Sequence, residues 1–324
     1  MPAQESSHTD QAAASKPATT TKPDAPSGVQ SGQQQGSQPA PNSQSGVTTI
    51  RVPVNLVNIL FTVTDKKNRM VLDLTKDDFR VLEDRKPQRI SFFSRESDLP
   101  LRIGILIDTS NSIRERLRFE QEAAVDFLSE TIRQDKDLAY AVGFDVEPQL
   151  LQDYTDNVDK LATAIRGLQA GGGTGLFDAI YFAAKEKMLI FPPPEPYLRR
   201  VMIVVSDGLD NESQHTRDEA LSMAQRAEVT IFGISTNRSG SSTRGDRVLK
   251  YLAEQTGGRA FFPFEATDLA ETFKEISREL RNQYGLAYYS TNQAHDGTFR
   301  NITLQTLDKG YHVRAKNGYF APAQ

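Results

Sequence analysis

Leu101-Arg-Ile-Gly-Ile-Leu-Ile-Asp108-Thr-Ser110-Asn-Ser112 is the stretch whose reading decides the fold. Its first seven residues form an apolar run broken by one Arg and one Gly, the pattern of a strand covered on both faces. The run stops at a carboxylate and two hydroxyls. Beyond them, Ile113, Leu117, Ala124, Phe127, Leu128 and Ile132 recur at helical spacing, so a helix is expected over 112–133.

The same rhythm continues outward. Strands expected at 138–144, 199–205, 229–234 and 259–262 alternate with helices near 156–167, 176–190, 217–227, 246–255 and 268–282, and 149–152 reads as a short antiparallel edge strand. Such alternation favours a doubly wound, mainly parallel, Rossmann-like α/β sheet. Both flanks read differently. Residues 50–63 alternate apolar and polar up to a turn at Asp65-Lys-Lys-Asn68, and strands follow at 79–83 and 89–93 around the polar stretch Asp84-Arg-Lys-Pro87. Further strands are expected at 284–289, 299–305, 311–314 and 319–320. Neither flank has enough strands to make a stable sandwich alone. The expectation is therefore one small β-sandwich-like domain built from 48–98 and 283–324, with the α/β domain, 99–282, inserted between them.

Residues 1–47 contain no Leu, Ile, Phe, Tyr or Trp and are rich in Ser, Gln, Pro, Thr, Ala and Gly. They cannot bury enough apolar area to offset the entropy of ordering, and read as a disordered tether with a root-mean-square reach of roughly 40 Å. Across all 324 residues the formal charge is -4, from 38 basic and 42 acidic side chains, which gives no footprint for nucleic acid. Cysteine is absent, so disulfides, thiolate metal sites and a cysteine nucleophile are excluded. No apolar run approaches the ~20 residues of a transmembrane helix. The start, Met-Pro-Ala-Gln-Glu-Ser, lacks the basic and apolar regions of a signal peptide, so either the protein is cytoplasmic or a leader has been removed; the tether-like composition and the β-flanks favour the second, an extracytoplasmic protein, secreted or periplasmic.

Three groups of oxygen donors stand where predicted strands end or helices begin: Asp108, Ser110 and Ser112; Thr174 in Gly172-Gly-Thr174-Gly175; and Asp207 in Ser206-Asp207-Gly208. In an open α/β sheet, ligands bind beyond the carboxyl ends of the strands, where strand order reverses. Three hydroxyls and two carboxylates are hard donors of the kind Mg²⁺ prefers, with Mn²⁺ or Ca²⁺ as alternatives. Each piece also has a local explanation. Ser112 with Glu115 reads as a capping box, Thr174 as a cap for the helix at Leu176, and Asp207-Gly208 as a turn. Thr216 with Glu219 is a further capping box, and Arg244-Gly245-Asp246 reads as the loop and cap of the helix containing Val248. Asp178 is placed to brace the loop of Thr174, and Asp210 reads as a solvated turn residue.

The order Asp-x-Ser-x-Ser, Thr, Asp resembles the metal-ion-dependent adhesion site of von Willebrand factor type A domains, matched here by Asp108, Ser110, Ser112, Thr174 and Asp207. Residues 101–282 are similar to that family. The flanking stretches Leu74-Thr-Lys-Asp-Asp78-Phe-Arg-Val-Leu-Glu-Asp84 and Gly310-Tyr-His-Val-Arg-Ala-Lys-Asn-Gly318-Tyr-Phe320 resemble the acidobacterial members. The resemblance implies direct ligation by Ser110 and Ser112, with Thr174 a further candidate, and action of Asp108 and Asp207 largely through water. It also implies a partner protein whose Asp or Glu completes the coordination sphere, and hence a non-enzymatic adhesion or scaffold module.

Two other classes stay open at this point. One is a cytoplasmic type A module that partners an ATPase. The other is a Mg²⁺-dependent hydrolase using Asp108 and Asp207. Against an enzyme, Gly171-Gly-Gly-Thr174-Gly175 lacks the Lys of a nucleotide loop, and His8, His215, His295 and His312 form no zinc-binding helix motif.

Overall fold

The computed structural model describes residues 55–96, 98–189, 198–237, 239 and 241–323. The tether expected at 1–47, the first residues of the strand expected at 50–63, and Ile190 at the end of an expected helix lie outside the described residues.

The central sheet grows from the opening stretch. Strand β5 (Leu101–Asp108) lies between β6 (Leu138–Phe144) and β8 (Arg199–Ser206), and the full order is β10-β9-β8-β5-β6-β7, with β7 (Pro148–Thr155), β9 (Val229–Ser235) and β10 (Ala260–Phe261). All pairings are parallel except β6 with β7, so the antiparallel edge expected at 149–152 is present and extends over Pro148–Thr155. From β5 the chain steps to β6 on one side and returns to β8 on the other. Strand order therefore reverses at β5.

Helices cover both faces because the sheet is apolar on both. Helices α1 (Leu117–Thr131), α2 (Val158–Arg166) and α6 (Ala266–Leu280) pack with Ile103, Ile105 and Ile107 in one core. Helices α3 (Leu176–Phe182), α4 (Arg217–Arg226) and α5 (Arg244–Gln255) pack with Leu106, Val142 and Val204 in the other. The helix expected over 176–190 changes winding part-way: after Phe182 its hydrogen bonding is of the π type over Ala183–Leu189.

The chain ends build two further sheets. One has the order β13-β1-β11-β4, from β1 (Leu56–Thr64), β4 (Ile90–Glu96), β11 (Gln283–Tyr289) and β13 (His312–Ala315). The other has the order β14-β12-β2-β3, from β2 (Phe79–Glu83), β3 (Lys86–Gln88), β12 (Phe299–Thr306) and β14 (Gly318–Phe320). Each sheet mixes strands from both ends, and Phe61, Phe79 and Tyr284 share their core, with Phe93 against it. The flank hydrophobics thus find partners some 200 residues away, which is why neither end can fold as a sandwich by itself. Strand β3 is a correction. The stretch 84–87 reads as a polar connection, but only Asp84 and Arg85 form the turn, both at positive φ, and Lys86 already pairs with Glu83. Two positive-φ residues match the twist of a two-residue hairpin, and Pro87 is tolerated because β3 is an edge strand.

Candidate functional site

Strand order reverses at β5, so the carboxyl ends of β5 and β8 are where an open α/β sheet leaves its crevice. Asp108 closes β5 and is fully buried; its Oδ1 accepts the Ser110 N–H at 2.8 Å and its Oδ2 accepts the Ser206 hydroxyl at 2.6 Å. The parallel register that sets Ile107 against Val205 puts Asp108 level with Ser206, one residue before Asp207. Burial pushes the Asp108 carboxyl up to about 6, and the neighbouring Asp207 charge adds to the rise against the hydrogen bonds from Ser206 and Ser110. Among the described residues no cationic side chain is a hydrogen-bond partner of Asp108.

The local explanations for the hydroxyls mostly fail. Helix α1 begins only at Leu117, after a 3₁₀ turn over Asn111–Ile113, so the capping box of Ser112 with Glu115 does not form. Instead the Ser110 and Ser112 hydroxyls face each other at 2.9 Å. Two oxygens bound side by side in an octahedron at magnesium distances would stand about 2.9 Å apart. Gly175, not Thr174, is the cap residue of α3, and no side chain caps that end. Thr174 is buried, and its hydroxyl has no hydrogen-bond partner among the described residues. The turn reading of Asp207-Gly208 holds: Asp207 Oδ1 accepts the Leu209 N–H at 2.9 Å, and Gly208 lies at φ +76°.

The loops are clamped by Asn211, Asp210 and Asp178, of which only Asp178 is expected from the sequence to brace a loop. The Thr174 N–H donates to Asn211 Oδ1 at 2.8 Å, and the Thr174 carbonyl accepts N–H groups from Asn211 and Glu212. Asp210 is more than a solvated turn residue: its Oδ2 accepts the Phe177 N–H at 3.0 Å and the Ser213 hydroxyl at 2.6 Å. Asp178 braces the same segment, accepting the Gln214 and His215 N–H groups and sitting 2.7 Å from His215 Nδ1. Against burial, these partners hold its carboxyl below the usual range. Ser206 stands one residue beyond the strand expected at 199–205 and becomes the last residue of β8, while the sequence pattern assigns Asn211 no role of its own.

Behind the crevice lies a group that no motif announced. Glu120, on the first turn of α1, is buried; neither carboxyl oxygen has a hydrogen-bond partner among the described residues, and Arg116 Nε is 4.0 Å away. Burial raises it to about 8, with the Asp108 and Asp207 charges adding and Arg116 opposing. The buried Thr236 hydroxyl is likewise unpartnered, while Arg116 donates to the Thr236 carbonyl at 2.7 Å. Among the described residues no three carboxylates or imidazoles form a metal-binding group, so the donor set is rich in hydroxyls. No described helix is long and apolar enough to cross a membrane.

The von Willebrand factor type A domain family model matches residues 103–279. Among curated proteins, human von Willebrand factor A domain-containing protein 3B is 27% identical over 167 residues, 49% of this chain and 12% of that protein, so the chain spans only a small part of this relative's length. Among solved structures, the PilB minor pilin of Streptococcus sanguinis aligns at 12% identity and TM-score 0.45, over 56% of this chain and 61% of the pilin. Proximal thread matrix protein 1 of the mussel byssus, with zinc in its MIDAS motif, aligns at 16% identity and TM-score 0.47, over 61% of this chain and 49% of that one.

Proposed function

From the premise that the chain belongs to the von Willebrand factor type A domain family, we propose that it is an extracytoplasmic metal-dependent protein-binding module whose bound cation is completed by an acidic side chain of a partner protein. Ser110, Ser112 and Thr174 would hold the ion through their hydroxyls. Asp108 and Asp207 would balance its charge, largely through water. Mg²⁺ is the proposed ion, with Mn²⁺ and Ca²⁺ as alternatives.

The observation that carries this reading is the hydroxyl pair at 2.9 Å beside a buried aspartate with no cationic partner among the described residues. A buried carboxylate short of compensation is costly unless it is protonated or meets a cation. Hydroxyl ligands leave most of the ion's charge unneutralised, so the ion, when bound, offers an electrophilic position to an incoming carboxylate. What the chain itself contributes is order. The strand register aligns Asp108 with Ser206, and Asn211, Asp210 and Asp178 lock the two loops that carry Thr174 and Asp207.

Calorimetric titration of the protein with MgCl₂ and MnCl₂ tests the ion. One saturable site is expected in the wild type, with affinity lost in Ser112→Ala. Capture of protein partners that disappears with EDTA and with Ser112→Ala tests the second half of the reading, and partners retained in both would sink it.

A further inference from the structure

A cleft of about 390 Å³ lies beside the crevice, lined by Phe177, Thr216, Arg217, Arg244 and Arg247 together with Asp218. Three guanidiniums thus face one carboxylate, in a chain whose overall charge is negative. Asp218 is already engaged, 2.9 Å from Arg217, whose guanidinium also stacks 4.2 Å from the ring centre of Tyr251. Arg244 and Arg247 are exposed, and their side chains have no ion pair or hydrogen bond among the described residues. They sit one turn apart at i and i+3 on the start of α5, hence on one face of that helix.

The cleft adjoins the proposed cation site through backbone contact. A Cβ on Gly245 would lie 2.1 Å from the Asp207 carbonyl oxygen, and one on Gly208 would lie 2.2 Å from the Gly245 carbonyl oxygen. Only two glycines let the start of α5 press against the Asp207 loop in this way. Arg244 is the next residue, so its backbone is about one peptide unit from that contact. On the other wall, Phe177 is three residues beyond Thr174. The Arg244-Gly245-Asp246 tripeptide gains its meaning here. Asp246 is buried and hydrogen-bonded to Ser235, Asn237 and Thr243, whereas Arg244 is exposed and lines the cleft.

We infer that this arginine cleft is a second acid-binding subsite, so that the partner is an acidic protein segment placing one carboxylate on the cation and another on Arg244 and Arg247. The inference rests on the metal-dependent reading above. Guanidinium groups suit the task because their planar fork binds a carboxylate through two hydrogen bonds, and the N-terminal ends of α4 and α5 add a positive dipole field. In an extended segment, acids two to four positions apart are separated by roughly 7–13 Å, a span that suits adjacent subsites.

The test measures fluorescence polarisation of the full chain with labelled Gly/Ser peptides carrying one Asp, or two Asp at separations of two, three and four positions, in Mg²⁺ and in EDTA. At least one doubly acidic peptide should bind about five- to tenfold more tightly than the single-Asp peptide in Mg²⁺. The double substitution Arg244→Gln with Arg247→Gln should abolish that gain without changing the Mg²⁺-dependent affinity for the single-Asp peptide. Both side chains are exposed, so an unchanged melting temperature will show that the variant is folded. Equal affinity for all peptides in Mg²⁺, or a gain that survives the double substitution, overturns the inference and leaves the cation site standing. Binding of doubly acidic peptides that is the same in EDTA and is lost in the variant supports the cleft but removes the cation reading. Failure of every peptide to bind at millimolar concentration overturns both.

Discussion

The two ends of strand β5 each meet a fully buried aspartate, and the pair is treated in opposite ways. At the amino end, Asp137 accepts the Leu101 N–H at 2.8 Å, the Arg133 N–H and guanidinium at 3.0 and 2.8 Å, and the Arg281 guanidinium at 2.7 Å. These donors outweigh burial and hold its carboxyl down at about 2. At the carboxyl end, Asp108 has only the Ser110 N–H and the Ser206 hydroxyl, and it rises to about 6. One end is a closed electrostatic clamp that ties β5 to α1 and α6. The other is short of positive charge, and a divalent cation in the crevice would supply it. Identical residue types, both out of contact with water, differ because arginines surround one and hydroxyls the other.

The comparison breaks most readily at the clamped end. Asp137→Ala should destabilise the fold by about 3–5 kcal/mol in urea unfolding, because it strands Arg133 and Arg281 in a partly buried site. Asp108→Ala should have no comparable cost in the metal-free protein. Next in size is the cation itself. Mg²⁺ at about 100 times its Kd should raise unfolding free energy by about 2.7 kcal/mol in the wild type, and Asp108→Ala should remove that increase.

A titration sharpens the contrast further. The Asp137 carboxyl is held below its unfolded value, so its contribution is complete above about pH 4 and is lost as pH falls towards 2. Acid unfolding should show about 2 kcal/mol of stability lost in that window, and Asp137→Asn should flatten it. The smallest effect concerns Glu120, raised to about 8. An acid held above its unfolded value costs stability as pH rises through the interval between the two. The stability of Glu120→Gln relative to the wild type should therefore rise in the metal-free protein as pH goes from 5 to 8, read as a shift in urea midpoint.

Much of this was legible in the residues. The apolar run before Asp108, the alternation of strand and helix that follows and the β character of both flanks predict the layers of the fold, because burial on two faces, on one stripe or on one face leaves different periodicities. The five donors Asp108, Ser110, Ser112, Thr174 and Asp207 stood out through their order. The Asp84-Arg85 hairpin was hidden because positive φ is usual for Gly and Asn, not for Arg. Glu120 was hidden because its place at i+3 from Leu117 reads equally well as a solvated helix position.

By itself, then, the sequence determined which segments become strands and helices and which residues could offer oxygen to a cation, since both depend on local pattern and side-chain chemistry. Only the tertiary structure decided that Ser112 faces Ser110 instead of capping a helix, that Asp108 lacks the arginines surrounding Asp137, and that Arg244 and Arg247 border the same crevice. Charge compensation in a folded chain is set by what is near in space, and the sheet brings together loops that lie up to about a hundred residues apart.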